Sequence, residues 1–259
     1  MPEYFRSPNS RLDRAQKHIA DFKREMDAFF KDKPWTHAIE INPDGTLKEH
    51  KIKFLQPFPD AVALIASDAM HNLRSALDQC GTAAFRASGV QLNRSPKHYF
   101  PFGRTEEAML SGAKGNSKDI PPYILSVMLS LQPYETGNPL LYALNRIRSI
   151  DTHDLFRPLA VIGSSVSVAS KFTSNGPFFL KNGSRWVPEN NEIVFAVSPA
   201  SEPDPDYNFE IEMEIAFGEV EIVDGQPVFG VLANMLGIVR RAVALIEHHT
   251  KRLFPDAFL

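Results

Sequence analysis

DAVALIASDAMHNLRSALDQCGTAAFRA, residues 60–87, is the stretch on which the fold turns. Val62, Ile65, Ala66, Ala69, Leu73, Ala76, Leu77, Cys80 and Ala84 recur at steps of three and four, the apolar stripe of one long amphipathic helix. At about 100° per residue, Asp68, His71, Asn72, Arg74, Ser75, Asp78 and Gln79 share the opposite arc. That arc is poor in lysine and glutamate and rich in short hydrogen-bonding groups, with one imidazole and one guanidinium. Such groups build networks or sites rather than a solubilising coat, so the arc is expected to face other protein groups and not water. Pro57 and Pro59 deliver the chain to this helix, with Asp60 its expected N-cap.

Upstream, Ser10 is the expected cap of a helix reaching Lys31, with Leu12, Ala15, Ile19, Phe22, Met26 and Phe29 in line, and Pro34 ends it. HAIEI and LKEHKIKFL, split by Asn42-Pro43-Asp44-Gly45, predict a β-hairpin from His37 to Leu55, because proline presets its own φ and glycine accepts a positive one. Downstream, residues 89–117 carry mixed signals apart from a helical turn near Thr105 to Leu110. Pro121-Pro122 opens a helix through Leu131, and Asn138-Pro139 starts LLYALNRIRSIDTH, with Leu141, Leu144, Ile147 and Ile150 on one face.

After Pro158 the character changes. LAVIG, SVSVAS, PFFLKNGSRWV, EIVFAVS, FEIEMEIAF and VEIVDG are short β-branched and aromatic runs between Asn-Gly, Pro and Asp-Gly turns, the pattern of an antiparallel meander. A last helix spans Phe229 to Phe254, with Leu232, Leu236, Val239, Val243 and Ile246 aligned. The expected class is α+β: a helical bundle carrying an N-terminal β-hairpin and an antiparallel sheet, closed by a C-terminal helix. It is read as one domain over residues 1–259, with a helical part and hairpin over 1–157, a β part over 158–227 and the closing helix over 228–254.

A chain of 259 residues with 43% apolar and 23% charged content has the composition of a globular protein with a substantial core. A net charge of -3 argues for neither a nucleic-acid coat nor a membrane-surface role. The charge is uneven: Pro158 to Pro227 holds eleven acids and three bases, whereas residues 1–157 hold 21 bases and 18 acids. A nucleic-acid site would belong to the first part. The single cysteine, Cys80, sits on the apolar stripe and is expected buried and inert, which suits a reducing cytoplasm. MPEYFRSPNSRLDR lacks the apolar core of a signal peptide, and no run is expected to approach the ~18 apolar residues of a membrane span. Gly103, Gly112 and Gly115 are too scattered to cradle a phosphate, and Ser164-Ser165 lacks the setting of a nucleophile elbow. His248-His249, near the end of the last helix, suits the negative end of its dipole.

Two polar blocks remain. One is Asp68, His71, Asn72, Arg74 and Asp78; the other is Asn145-Arg146-Ile147-Arg148-Ser149-Ile150-Asp151-Thr152-His153. Both helices have apolar stripes that must face one bundle, so the blocks are expected to converge, with His71 and His153 within about 10 Å, one interhelical distance. An arginine beside an imidazole can hold a phosphate while the ring moves a proton. Asp68-x-x-His71 with Asp151-x-His153 would alternatively give two carboxylates and two imidazoles to a metal, at spacings that match no strong signature, so no metal ligand is assigned. The third reading is a buried network that fixes helix packing and does no chemistry.

IASDAMHNLRSALDQ and LQPYETGNPLLYALNRIRSIDTHDLF resemble a family of uncharacterised bacterial proteins with the pattern G-D-x-x-H-N-L-R-S-A-L-D-H, then Q-P-Y and L-x-x-I-D-K-H-R. Asp68, His71, Asn72, Arg74, Ser75, Asp78, Asp151 and His153 fall on its polar positions, whereas Ser67, Gln79, Thr152 and Asp154 depart from it. The resemblance implies organisation in a bacterial, cytoplasmic protein and transfers no reaction. Arg148-x4-His153 and Arg146-x6-His153 are also similar to the R-x4-6-H motif of HEPN-type helical nucleases. That likeness implies a metal-independent endoribonuclease, with no cofactor, RNA as partner and two sites paired in a homodimer. His153 would be general acid or base, Arg148 or Arg146 would hold the phosphate, and Asn72 or Asp68 would orient the imidazole, with His71 and Asp151 beside them.

Overall fold

The long helix follows its periodicity. In the computed structural model, which describes residues 3–151, 159–173, 176–181, 184–187, 189–218 and 222–259, α2 spans Asp60–Ala87. Side chains at 148–151, 159–172 and 207–212 fall outside that description. Ala66, Ala69, Leu73, Ala76, Leu77, Cys80 and Ala84 are fully buried. The many alanines let neighbouring helices approach closely: α1 (Arg6–Lys31) on one side, α5 (Pro139–Asp151) on the other, and α6 (Val228–Leu253) across the apolar stripe. Two short helices, α3 (Glu106–Asn116) and α4 (Pro122–Leu129), complete the helical part. Burial pushes the Cys80 thiol far above its ordinary pKa, which makes it an inert core residue.

The helix boundaries correct three expectations. α1 begins at Arg6, a turn before Ser10, because Pro8 is tolerated in a first turn whose N–H groups need no partner within the helix. Asp60 is the first residue of α2 and not its cap; Pro59 holds that position in extended conformation, and the carboxylate sits on the positive end of the dipole. The turn near Thr105 extends to Asn116, capped by the Thr105 hydroxyl accepting from the Ala108 N–H at 3.2 Å. Asn138 caps α5 as its sequence predicts, its Oδ1 accepting from the Leu141 N–H at 3.2 Å.

The hairpin forms from β1 (Trp35–Ile41) and β2 (Leu47–Phe54). Gly45 takes φ +77° in its turn, and Asn42 Oδ1 accepts from the Thr46 and Leu47 N–H groups at 3.1 and 3.0 Å. The strands that follow are β3 (Leu159–Thr173), β4 (Phe179–Leu180), β5 (Glu192–Pro199) and β6 (Asp206–Ala216). They do not form the expected meander. One antiparallel sheet runs β1-β2-β5-β4 and a second pairs β3 with β6. LAVIG and SVSVAS are one strand with irregular register, and the hairpin is built into the larger sheet. Alternation marks which residues are strands; which strands pair depends on contacts distant in sequence.

Across the face of the larger sheet, Phe29, Ile52, Phe54, Ile193, Phe195 and Met213 make a second core beside the helical one. Among the described residues, α6 is the one helix long and apolar enough to cross a bilayer by length and composition, although Asn234, Arg240 and Arg241 interrupt it, so that no continuous apolar run approaches the length of a span. Its buried Val231, Leu232, Met235, Val239, Val243 and Ile246 belong to the helical core, and this accounts for the apolarity in a way that fits a soluble protein.

Candidate functional site

The polar arc of α2 divides along its two edges. At about 100° per residue, Asn72 and Arg74 lie about 200° apart and turn towards different neighbours. Asn72, buried, faces α1, where its Oδ1 accepts from Arg11 Nη1 at 3.1 Å while its Nδ2 donates to the Asp68 carbonyl at 2.7 Å. Arg74, also buried, faces α5, where its Nε donates to Asn145 Oδ1 at 3.1 Å. Between these edges Asp68 and His71 are exposed. The expectation that the whole arc would face protein groups is therefore corrected: its edges are buried and its crest is wet, because neighbouring helices cover only the flanks.

Arg74 and Asp78 organise the α5 edge. Their Nη1 and Oδ1 form an ion pair at 2.5 Å, one helical turn apart, and the guanidinium lies over the Phe102 ring at 4.2 Å from its centroid. The same Asp78 oxygen accepts from the Phe100 backbone N–H at 3.0 Å, tying the extended segment 98–102 to the helix. One turn further on, the Thr82 hydroxyl meets His98 Nδ1 at 3.2 Å, and Gly81 lets the His98 carbonyl rest directly on the helix. A Cβ at Gly81 would stand 2.0 Å from that carbonyl oxygen.

Where segment 98–102 leaves α2, a cleft of about 400 Å³ opens. Arg74, Asp78 and Asn145 form its floor, Phe100 and Phe102 one wall, and Asn116 and Tyr99 part of its rim. Ser117, fully buried, donates its hydroxyl to the Tyr99 carbonyl at 2.7 Å and fixes the rim to the end of α3. Sequence reading missed this cleft, since residues 89–117 lack periodicity and nothing local indicates that they fold back on α2.

The two polar blocks meet at the Arg74–Asn145 hydrogen bond. Arg146, the next residue, is exposed. Arg148 and Asp151 belong to α5, but their side chains, like the whole of Thr152, His153 and Asp154, lie outside the described residues, and with them the His71–His153 separation. Asp68 and His71 are left as two exposed ligands of the four-residue metal set, and among the described residues no three His, Cys, Asp or Glu side chains gather in a way that could hold an ion. Near the end of α6, His249 Nδ1 meets the Tyr123 hydroxyl at 2.9 Å. Tyr99 is half exposed, whereas its neighbour Phe100 is buried. Comparison of the chain with protein-family models, curated proteins and solved structures finds no match.

Proposed function

We propose that the chain is a non-catalytic binding or interaction protein, cytoplasmic and not membrane-bound, whose Asn72, Arg74 and Asp78 hold its helices in register. The observation that carries this reading is the double use of one Asp78 oxygen, by Arg74 and by the Phe100 N–H. A carboxylate committed to a guanidinium and a backbone amide is a fastener. Truncating it strands both partners, which costs about 1–3 kcal/mol and more where charge is buried. The Arg11–Asn72 bond does the same on the other edge, which leaves the Asn72 amide little freedom to orient a catalytic ring.

A second reading, a metal-independent HEPN-like ribonuclease acting as a homodimer, is favoured by the exposure of Arg146 beside the junction of the two blocks. In that reading His153 exchanges a proton with a ribose 2′-hydroxyl and Arg146 or Arg148 steadies the phosphate. Incubating the protein with mixed RNA in excess chelator separates the two. The binding reading expects intact RNA. Cyclic-phosphate products that disappear in His153→Ala would overturn it.

A further inference from the structure

The cleft beside Arg74 has a chemistry of its own. Among the described residues its one cation and one anion, Arg74 and Asp78, form an ion pair, and Phe102 covers a face of the guanidinium. The floor therefore offers no net charge to a phosphate or carboxylate, which would have to compete with Asp78 at 2.5 Å. What it does offer is directional. Asp78 Oδ1 is occupied by Arg74 and the Phe100 N–H, and Asn145 Oδ1 by Arg74 Nε. Among the described residues, Asp78 Oδ2 and Asn145 Nδ2 have no hydrogen-bond partner, and both groups line the cleft. One guanidinium bridges the two side chains, so an acceptor and a donor stand on the same half-buried floor. Asn116 adds an exposed amide at the rim and Tyr99 an exposed aromatic side chain.

From this we infer that the cleft binds a small uncharged planar ligand presenting an N–H donor beside a carbonyl acceptor, the lactam edge of a nucleobase or cyclic amide. Asp78 Oδ2 takes the N–H, Asn145 Nδ2 gives to the carbonyl, and the aromatic wall and rim cover the flat faces. About 400 Å³ is near the lower end of the range for small-molecule sites and suits a single nucleoside. A site that pairs its polar groups with a specific edge discriminates strongly against an analogue lacking the donor, since a carboxylate oxygen that the ligand covers is then left unpaired.

The inference rests on the binding reading above, and calorimetric titration of the full chain with uridine tests it. Uridine is expected to bind, and 3-methyluridine, whose ring N–H is blocked, to bind at least tenfold more weakly. Asp78→Asn should weaken uridine binding to a similar degree. If that variant unfolds, Tyr99→Ala and Asn116→Ala, both at exposed positions, carry the test: each should lower affinity severalfold with an unchanged melting temperature. Uridine heats indistinguishable from buffer, or equal binding of uridine and its methyl derivative, would overturn the lactam site. Uridine monophosphate binding more tightly than uridine would show instead that an anion is preferred. RNA cleavage in the parallel chelator assay tells against the binding reading; a silent titration with intact RNA tells against the cleft alone.

Discussion

Asp78 and His71 lie on one face of the same helix, two turns apart, and their surroundings give them opposite roles. Asp78 is half-buried with two described partners, whereas His71 is exposed and makes no hydrogen bond among the described residues. Asp78→Ala should therefore lower unfolding free energy by about 1–3 kcal/mol, and His71→Ala should stay within about 0.5 kcal/mol of the parent. Urea denaturation of the two variants checks both values. Equal losses would mean that His71 has a partner in the folded protein after all. The 3.6-residue period makes this division legible in advance: Asn72 and Arg74 cannot share a neighbour, so treating the arc as a single site conflicted with the helix geometry. The pairing of Arg74 with the Phe102 ring and of Asp78 with the Phe100 N–H was not legible, because it depends on a segment about 25 residues away that has no period of its own.

Helices and hairpin were readable as elements because their signals are local: the alanine-rich stripe of α2, the Asn138 cap of α5, and Pro43-Asp44-Gly45 in the hairpin turn. The partner of β3 was not readable, since β5 and β6 alternate equally well and only three-dimensional packing sends one to β2 and the other to β3. Gly81 shows how an element can be tuned by its neighbour. Alanine is about 1 kcal/mol better than glycine within a helix, yet here its methyl would press on a backbone carbonyl at 2.0 Å. Gly81→Ala is expected to destabilise by about 1–3 kcal/mol, as overpacking does, and a melting temperature raised by the change would show that segment 98–102 yields easily. The sheet carries a pH signature. His50 is fully buried, shares a hydrogen bond with Ser198 Oγ at 2.9 Å and packs edge-on against Phe178, and burial depresses its pKa; partial desolvation beside the Phe195 ring depresses that of the more exposed His37 as well. Below the ordinary histidine value of about 6.5, the unfolded chain takes up protons before these folded imidazoles do. Stability is thus full above that value and falls as pH drops through the depressed folded values. Thermal melts between about pH 7.5 and pH 5.5 should show the loss, and His50→Gln should flatten it; parallel curves for parent and variant would assign the loss to other groups.

At the scale of the whole molecule, two apolar cores share a narrow aromatic junction. Phe58, on the lead-in to α2, packs against both, with its ring 4.7 Å from Phe29, 5.9 Å from Phe30, 5.5 Å from Phe54 and 5.7 Å from Trp186. Cooperative unfolding of helices and sheet together depends on such shared contacts, because the energy of one core stabilises the other only through groups that touch both. The chain supplies a convenient reporter. Its two tryptophans, Trp35 and Trp186, both pack against the sheet core, so their fluorescence follows that core, while far-UV ellipticity is dominated by the helices. In the parent the two signals should unfold together in urea, as coupled cores require. Phe58→Ala removes a ring from the junction at a cost of about 3 kcal/mol, and most of that loss should fall on the sheet, whose smaller core has fewer other contacts to rely on. The fluorescence midpoint should then move to lower urea than the ellipticity midpoint. If both midpoints shift together, the cores are coupled through other contacts, such as Ile215 and Phe217 at the end of β6, which are buried among the helices.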